Sequence, residues 1–161
     1  MTGAPRKLSF TASGGPSVRL RAVVFIKEGD ESDDRIFVDD GAEVIQRLDG
    51  LQIVSFESAG AAVHCLAALS SGARAGASCG DVLCENETLY GLPVIEASRL
   101  VDLAGPGQIL CTERLLRASG ESDGAASSAA PMTLRGIPHP VRVSSLDRIS
   151  SESSDRHARG R

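Results

Sequence analysis

Two strand-like runs, residues 43–47 and 51–56, flank the tripeptide Leu48-Asp49-Gly50. Asp and Gly both tolerate positive φ, so Asp-Gly between such runs marks a tight antiparallel hairpin. A chain built around that hairpin must make at least part of its sheet antiparallel. It must then lay its helices against the sheet. Ser58 is placed to cap a helix running to about Leu69, with Ala59, Ala62, Val63, Leu66 and Ala67 at helical spacing. A second helix is predicted from Pro93 to Ala104, opened by Pro and stopped by Gly105-Pro106-Gly107, with Val94, Ala97, Val101 and Ala104 as its apolar stripe. Residues 113–118 form a shorter third.

Residues 18–25 (VRLRAVVF) are β-branched and apolar enough for a buried strand, and residues 108–112 and 140–145 supply two more. Residues 74–78 and 82–85 are expected to pair as a second hairpin, turning through Cys79-Gly80-Asp81. The acidic run at residues 30–34, with Asp39 and Asp40 after it, is expected to be a solvated connection. Residues 119–131 are rich in Ser, Gly and Ala and are expected to form an exposed loop. Residues 1–17 form a flexible lead-in and residues 149–161 a disordered tail, which leaves one domain over 18–148. Hairpins mixed with crossover helices define an α+β protein, an antiparallel-rich sheet covered by helices.

Charge narrows the partners. With 17 Lys and Arg against 21 Asp and Glu, the net charge of -4 argues against nucleic acid or an anionic membrane as the main partner. Tyr90 and four Phe are the only aromatics, so stacking platforms for bases are scarce. No run approaches the ~18 consecutive apolar residues of a membrane span, and the N-terminus lacks a signal-peptide core, so the protein is expected to be soluble and cytoplasmic. Cys65, Cys79, Cys84 and Cys111 form no CxxC pair, and these thiols are expected to be buried rather than zinc-bound. His64 and His139 have no nucleophile near them in sequence and are given no catalytic role.

The run from Arg74 to Thr112 carries a recognisable order of motifs. Arg74, Gly76, Gly80 and Val82 fit R-x-G-x-x-x-G-x-V; Tyr90-Gly91 follows, then Val94-Ile95-Glu96-Ala97-Ser98-Arg99-Leu100, then Ala104-Gly105-Pro106-Gly107-Gln108-Ile109-Leu110. Further on, Leu134-Arg135-Gly136-Ile137-Pro138-His139-Pro140-Val141 is similar to an L-K-G-x-P-x-P-V closing strand. Together with the hairpin around Asp49, this ordered set resembles the class III nucleotidyl cyclase domain of adenylyl and guanylyl cyclases. The resemblance implies a ferredoxin-like fold working as a head-to-tail dimer, with active sites in the groove between protomers. There, two Asp hold two metal ions on a triphosphate, and an Asn and an Arg from the facing protomer position the ribose and stabilise the transition state. A Lys and an Asp or Thr read the base.

On that comparison the chemistry is depleted. Asp49 matches the second metal carboxylate, although Leu48 replaces the usual Gly. The first carboxylate falls on Lys27 if residues 22–25 are the opening strand, or on Ala12 if Phe10-Thr11 is matched instead. The first placement leaves only a short span before Asp49 and implies a shortened N-terminal helical region. Ile95 stands in the Asn position. Arg99, four residues on and on the same helical face, stands in the transition-state Arg position, unless it serves only to pair with Glu96 or Asp102. Leu92 or Pro93 takes the base-reading acid's place, and Ile45 that of the base-reading Lys. One carboxylate cannot anchor two octahedral cations, and aliphatic side chains cannot replace hydrogen-bonding ones.

The expectation is a degenerate domain without autonomous cyclase activity. It would be a dimerising interaction or regulatory module, pairing with itself or with an intact cyclase-type domain. No cofactor is expected; Mg²⁺ or Mn²⁺ enters only with residual activity. The alternative is an active or heterodimer-dependent cyclase converting ATP or GTP to the 3′,5′-cyclic nucleotide, with Arg99 as its catalytic remnant and Asp49 as its single remnant metal ligand.

Overall fold

A computed structural model describes residues 16–30, 33–39, 41–48, 50–120 and 126–147. In chain order these form β1 (Ser17–Lys27), α1 (Asp33–Asp39), β2 (Glu43–Leu48), β3 (Leu51–Phe56), α2 (Ala59–Ala67) and β4 (Arg74–Glu85). There follow β5 (Thr88–Tyr90), α3 (Leu92–Leu103), β6 (Ile109–Thr112), α4 (Glu113–Ser119), β7 (Ala130–Met132) and β8 (Val141–Ser145). The expected lead-in, apart from Pro16 and Ser17, and the expected tail lie outside the described residues.

The strands form one sheet in the order β2-β3-β1-β4-β6-β8-β7, with β5 added to β4. Every pairing is antiparallel except β4 with β6, which α3 joins as a crossover. This is the expected α+β arrangement. β1 lies inside the sheet between β3 and β4, and its continuous apolar sequence follows from burial on both faces. Ala22, Val24 and Ile26 point to a core shared with Phe37 of α1, Leu66 of α2 and Leu115 of α4. Val23 and Phe25 point the other way, onto Ala97 and Val101 of α3. Leu100 and Ala104 extend that second layer over Leu110, Leu134 and Val143. Arg21 interrupts the apolar run and is fully buried, its Nε donating to Ser55 Oγ at 2.9 Å and its Nη2 lying 2.7 Å from Glu43 Oε2. The hydrogen bond ties β1 to β3 and the ion pair ties it to β2.

The helix from Ser58 forms as expected: the Ser58 side chain accepts from the Ala61 amide, and Ala62, Val63, Cys65 and Leu66 are buried. The helix predicted from Pro93 begins one residue earlier, at Leu92, and buries Pro93, Glu96, Ala97, Leu100 and Val101. Three expectations are corrected.

First, residues 74–85 are one strand rather than a hairpin. β1 pairs with β4 along its whole length, from Lys27 opposite Arg74 to Ser17 opposite Cys84, and a turn at residue 80 would forfeit half of that ladder. Gly80, which suggested the turn, serves close packing instead: it has φ +154°, and a Cβ there would meet Pro93 Cγ at 2.9 Å. The chain reverses later, at Asn86 and Glu87, both with positive φ, and returns as β5.

Second, the acidic run is not simply solvated. Asp33 is 1% exposed and accepts from the Asp30 amide, the Ser70 amide and Ser70 Oγ, all at 2.9 Å, fastening the start of α1 to the loop after α2. Asp34 takes a two-pronged ion pair from Arg47, at 3.0 and 3.1 Å. Among the described residues α1 is the one helix between β1 and β2, in keeping with the shortened N-terminal region. Third, the expected loop at residues 119–131 closes into β7 against β8, with a bridge from Ala126 to Leu146; residues 121–125 lie outside the description.

Candidate functional site

The last residue of β1 lies beside the tip of the β2–β3 hairpin. Lys27 is in register with Leu51, and the Glu28 amide donates to the Gly50 carbonyl at 3.2 Å. This is the corner where the resemblance puts the two metal carboxylates. Asp49 itself lies outside the described residues, as do Phe10, Thr11 and Ala12 of the second placement. Of the two placements, only the first falls on described residues, with Lys27 as the last residue of β1.

A Lys in that position reverses the charge a cation needs. Lys27 Nζ donates to Asp102 Oδ1 at 2.7 Å, so the ammonium is held between β1 and the last turn of α3. Arg74 adds a second positive charge, donating to the Ala104 carbonyl at 3.2 Å with Nη2 3.6 Å from Glu28 Oε1. A divalent ion about 4 Å from the Lys27 ammonium would be repelled by about 2 kcal/mol even at the dielectric constant of water. Asp102 and Glu28 balance these charges, so a divalent ion at this corner would have to compete with Lys27 and Arg74 for them. The described residues also contain no group of three or more His, Cys, Asp or Glu arranged to hold a metal.

The outward face of α3 carries the other expected positions. Ile95 is 41% exposed and Leu92 is 49% exposed, so neither is withdrawn into the core, and neither side chain offers a hydrogen bond. Pro93, the other candidate for the base-reading place, is buried. Arg99 lies one turn beyond Ile95. Its Nε donates to the Arg135 carbonyl at 2.9 Å, in the tight turn before β8. The expected pairing with Glu96 or Asp102 does not form. Glu96 faces inward, and Asp102 is taken by Lys27. Ile45 sits at a bulge in the β2–β3 pairing and packs on the Val23–Phe25 side of the core, a position with no polar atom to present.

A buried polar group went unnoticed in the sequence. Glu96, 1% exposed, accepts from Ser78 Oγ at 2.6 Å and from Arg114 Nη2 at 2.6 Å; Arg114 also donates from Nε to the Cys79 carbonyl at 2.6 Å. This network pins α3 and α4 to the middle of β4. The signal was available: Pro93, Glu96, Ala97 and Leu100 lie on one helical stripe, so an acid there had to face the sheet and find a cation.

The four cysteines are free and buried, as expected. Burial alone pushes the Cys111 thiol up to about 12. Desolvation also raises Cys79, against the opposing pull of Arg114, and Cys84, against that of Arg21. His64 and His139 are both exposed.

No protein-family profile matches the chain. Among curated sequences it is 41% identical over 73 residues to uncharacterized proteins of Mycobacterium tuberculosis and Mycobacterium bovis. That match takes in 45% of this chain and 19% of theirs, so the chain spans about a fifth of the length of these relatives. Solved structures give a fuller likeness. An adenylate/guanylate cyclase/hydrolase from Silicibacter pomeroyi superposes with a TM-score of 0.69 at 18% identity, over 83% of this chain and 99% of that one. The adenylyl cyclase CyaB from P. aeruginosa superposes with a TM-score of 0.72 at 14% identity, over 84% of this chain and 97% of that one. Identities this low speak to the fold alone.

Proposed function

We propose that this chain, whose fold is that of the class III adenylate/guanylate cyclase catalytic domains, is a cyclase-type domain without autonomous cyclase activity. It acts as a dimerising interaction or regulatory module. Its partner is a second copy or an intact cyclase-type domain, in the cytoplasm, with neither nucleic acid nor membrane involved. In the described residues no helix is long and apolar enough to cross a membrane. The observation that carries this reading is the Lys27–Asp102 pair at 2.7 Å. It puts a tethered ammonium beside the hairpin tip, where cyclisation of a triphosphate calls for a carboxylate that binds metal. The exposed Ile95 points the same way, offering the ribose no hydrogen bond.

The test is direct. Purified protein given ATP or GTP with Mn²⁺ is expected to make no cyclic nucleotide above a protein-free blank, and a size measurement beside it is expected to report a dimer. Turnover well above the blank overturns the reading.

Arg99 favours one alternative, a heterodimer-dependent cyclase. Its Nε bond to the Arg135 carbonyl leaves both terminal guanidinium nitrogens without a hydrogen bond to the described residues. In that arrangement this chain supplies Arg99 while a partner supplies both metal carboxylates and, with them, Mg²⁺ or Mn²⁺. Mixing with an intact cyclase-type domain decides: a loss of two or more orders of magnitude on Arg99→Ala establishes the role. An unchanged rate and sedimentation on mixing removes it.

A further inference from the structure

A cavity of about 580 Å³ opens between the first turn of α3, the helix α4 and the turn leading into β8. That volume lies within the range of small-molecule sites, roughly 300–1,000 Å³. Leu92 is the only one of the expected nucleotide-contact positions on its wall; Ile45, Ile95 and Arg99 are elsewhere. The cavity therefore meets those positions only at Leu92.

Its walls are of two kinds. Ile137, Pro138, Pro140 and Val141 offer apolar surface on one side. Arg114, Arg117 and Arg142 line the cavity together with Glu96 and Glu113. Three guanidiniums against two carboxylates leave one surplus positive charge, on a chain whose net charge is -4. The carboxylates are already engaged. Glu96 Oε1 takes Ser78 and Arg114, and Glu113 is shared by Arg117 Nη2 at 3.0 Å and Arg142 Nε at 3.1 Å. The guanidiniums are not exhausted. Arg142 spends Nη2 on the Ala129 carbonyl and Arg114 spends Nε on the Cys79 carbonyl, so Nη1 of each bonds to nothing among the described residues.

We propose that this cavity binds a small amphipathic monocarboxylate. Its apolar body lies on Ile137, Pro138 and Val141, and its carboxylate is received by Arg142 and Arg114. The free Nη1 of each arginine can donate to one of the two oxygens of a carboxylate, giving two charge-assisted hydrogen bonds. One surplus positive charge suits one negative charge. A dianion such as a phosphate monoester would bring its second charge against Glu96 and Glu113. A cationic ligand finds both carboxylates occupied.

The test uses the whole chain, isotopically labelled, with hexanoate as probe and hexanamide, acetate and inorganic phosphate as comparators. Hexanoate is expected to give saturable amide shifts confined to residues 137–142, α4 and the first turn of α3. Hexanamide and acetate are each expected to bind at least tenfold more weakly, the first lacking the charge and the second the apolar body. Arg142→Gln is expected to weaken hexanoate at least fivefold while leaving shifts elsewhere unchanged. Equal response to hexanoate and hexanamide, shifts scattered over the surface, or tighter binding of phosphate than of hexanoate overturns the proposal. The ligand comparisons are made on the unaltered chain, so they decide the matter even if Arg142→Gln fails to fold.

Discussion

Lys27 Nζ lies 2.7 Å from Asp102 Oδ1, joining the last residue of β1 to the last turn of α3. Both side chains are partly exposed, so the pair contributes only about 0–1 kcal/mol to stability. Its weight is local: it fixes a positive charge next to the hairpin tip.

Exchanging that charge should change what the corner binds. Lys27→Asp is expected to raise Mn²⁺ affinity at least tenfold, measured by titration calorimetry or by the Mn²⁺ electron spin resonance signal. Adding Asp49→Ala should abolish the gain. If Lys27→Asp binds Mn²⁺ no better than the parent, the corner is not a decayed metal site.

The Glu96–Arg114 pair is asymmetric, and its two deletions should be unequal. Glu96 is almost wholly buried, whereas the Arg114 side chain is 47% exposed. Arg114→Ala strands a buried carboxylate with Ser78 as its remaining donor and is expected to cost about 3 kcal/mol. Glu96→Ala leaves a guanidinium that water can still reach, at about 1–2 kcal/mol. Urea unfolding of both variants checks the order; a larger loss for Glu96→Ala contradicts the burial argument.

Gly76 lies directly under α3, and a Cβ there would collide with Ala97 O and the Val101 amide, both backbone atoms of that helix. Backbone cannot step aside as a side chain does, so Gly76→Ala is expected to cost about 3 kcal/mol or more. Gly72→Ala is the control. Nothing lies within 4 Å of its added methyl, and the change is expected to be neutral or to stabilise by up to about 1 kcal/mol. Thermal denaturation of the two variants should separate them by about 10 °C or more, at ~3–4 °C per kcal/mol for a domain of this size.

The Cys111 thiol gives the fold a pH dependence at its alkaline edge. Burial raises it from the ordinary 9.0 to about 12. Between those values the folded state keeps a proton that the unfolded state releases. Stability from this group is thus fully present below pH 9 and falls as pH rises from 9 towards 12. Urea midpoints measured from pH 8 to pH 10.5 should decline, and Cys111→Ala should decline less steeply. At pH 8, alkylation of Cys111 should proceed only as fast as global unfolding allows.

Much of the architecture was legible from local rules. Ser58 had to cap, because its side chain reaches the Ala61 amide from the N-cap position. The Asp-Gly hairpin, the Pro-opened helix and the two-sided burial of β1 follow equally from turn chemistry and periodicity. Of the candidate site, the sequence carried the spacing: Ile95 and Arg99 stand four residues apart in α3, and Ile95 is exposed.

What failed were readings that needed a partner from a distance. Gly80 looked like a turn because Gly relieves strain locally, yet its reason lies in Pro93 packing over it. Asp33 looked solvated because its neighbours are acidic, yet Ser70, far along the chain, buries it.

By itself, then, the sequence determined most of the strands and helices, though not α1, β5, β7 or the unbroken run of β4, and it determined which side chain types occupy the corner and α3. Those properties depend on neighbours within a few residues. Only the tertiary structure decided that Lys27 meets Asp102, that Arg99 turns to the Arg135 carbonyl, and that Glu96 holds Arg114 above β4. Electrostatic pairing is set by distances through space, and no spacing along a chain fixes those until the sheet has closed.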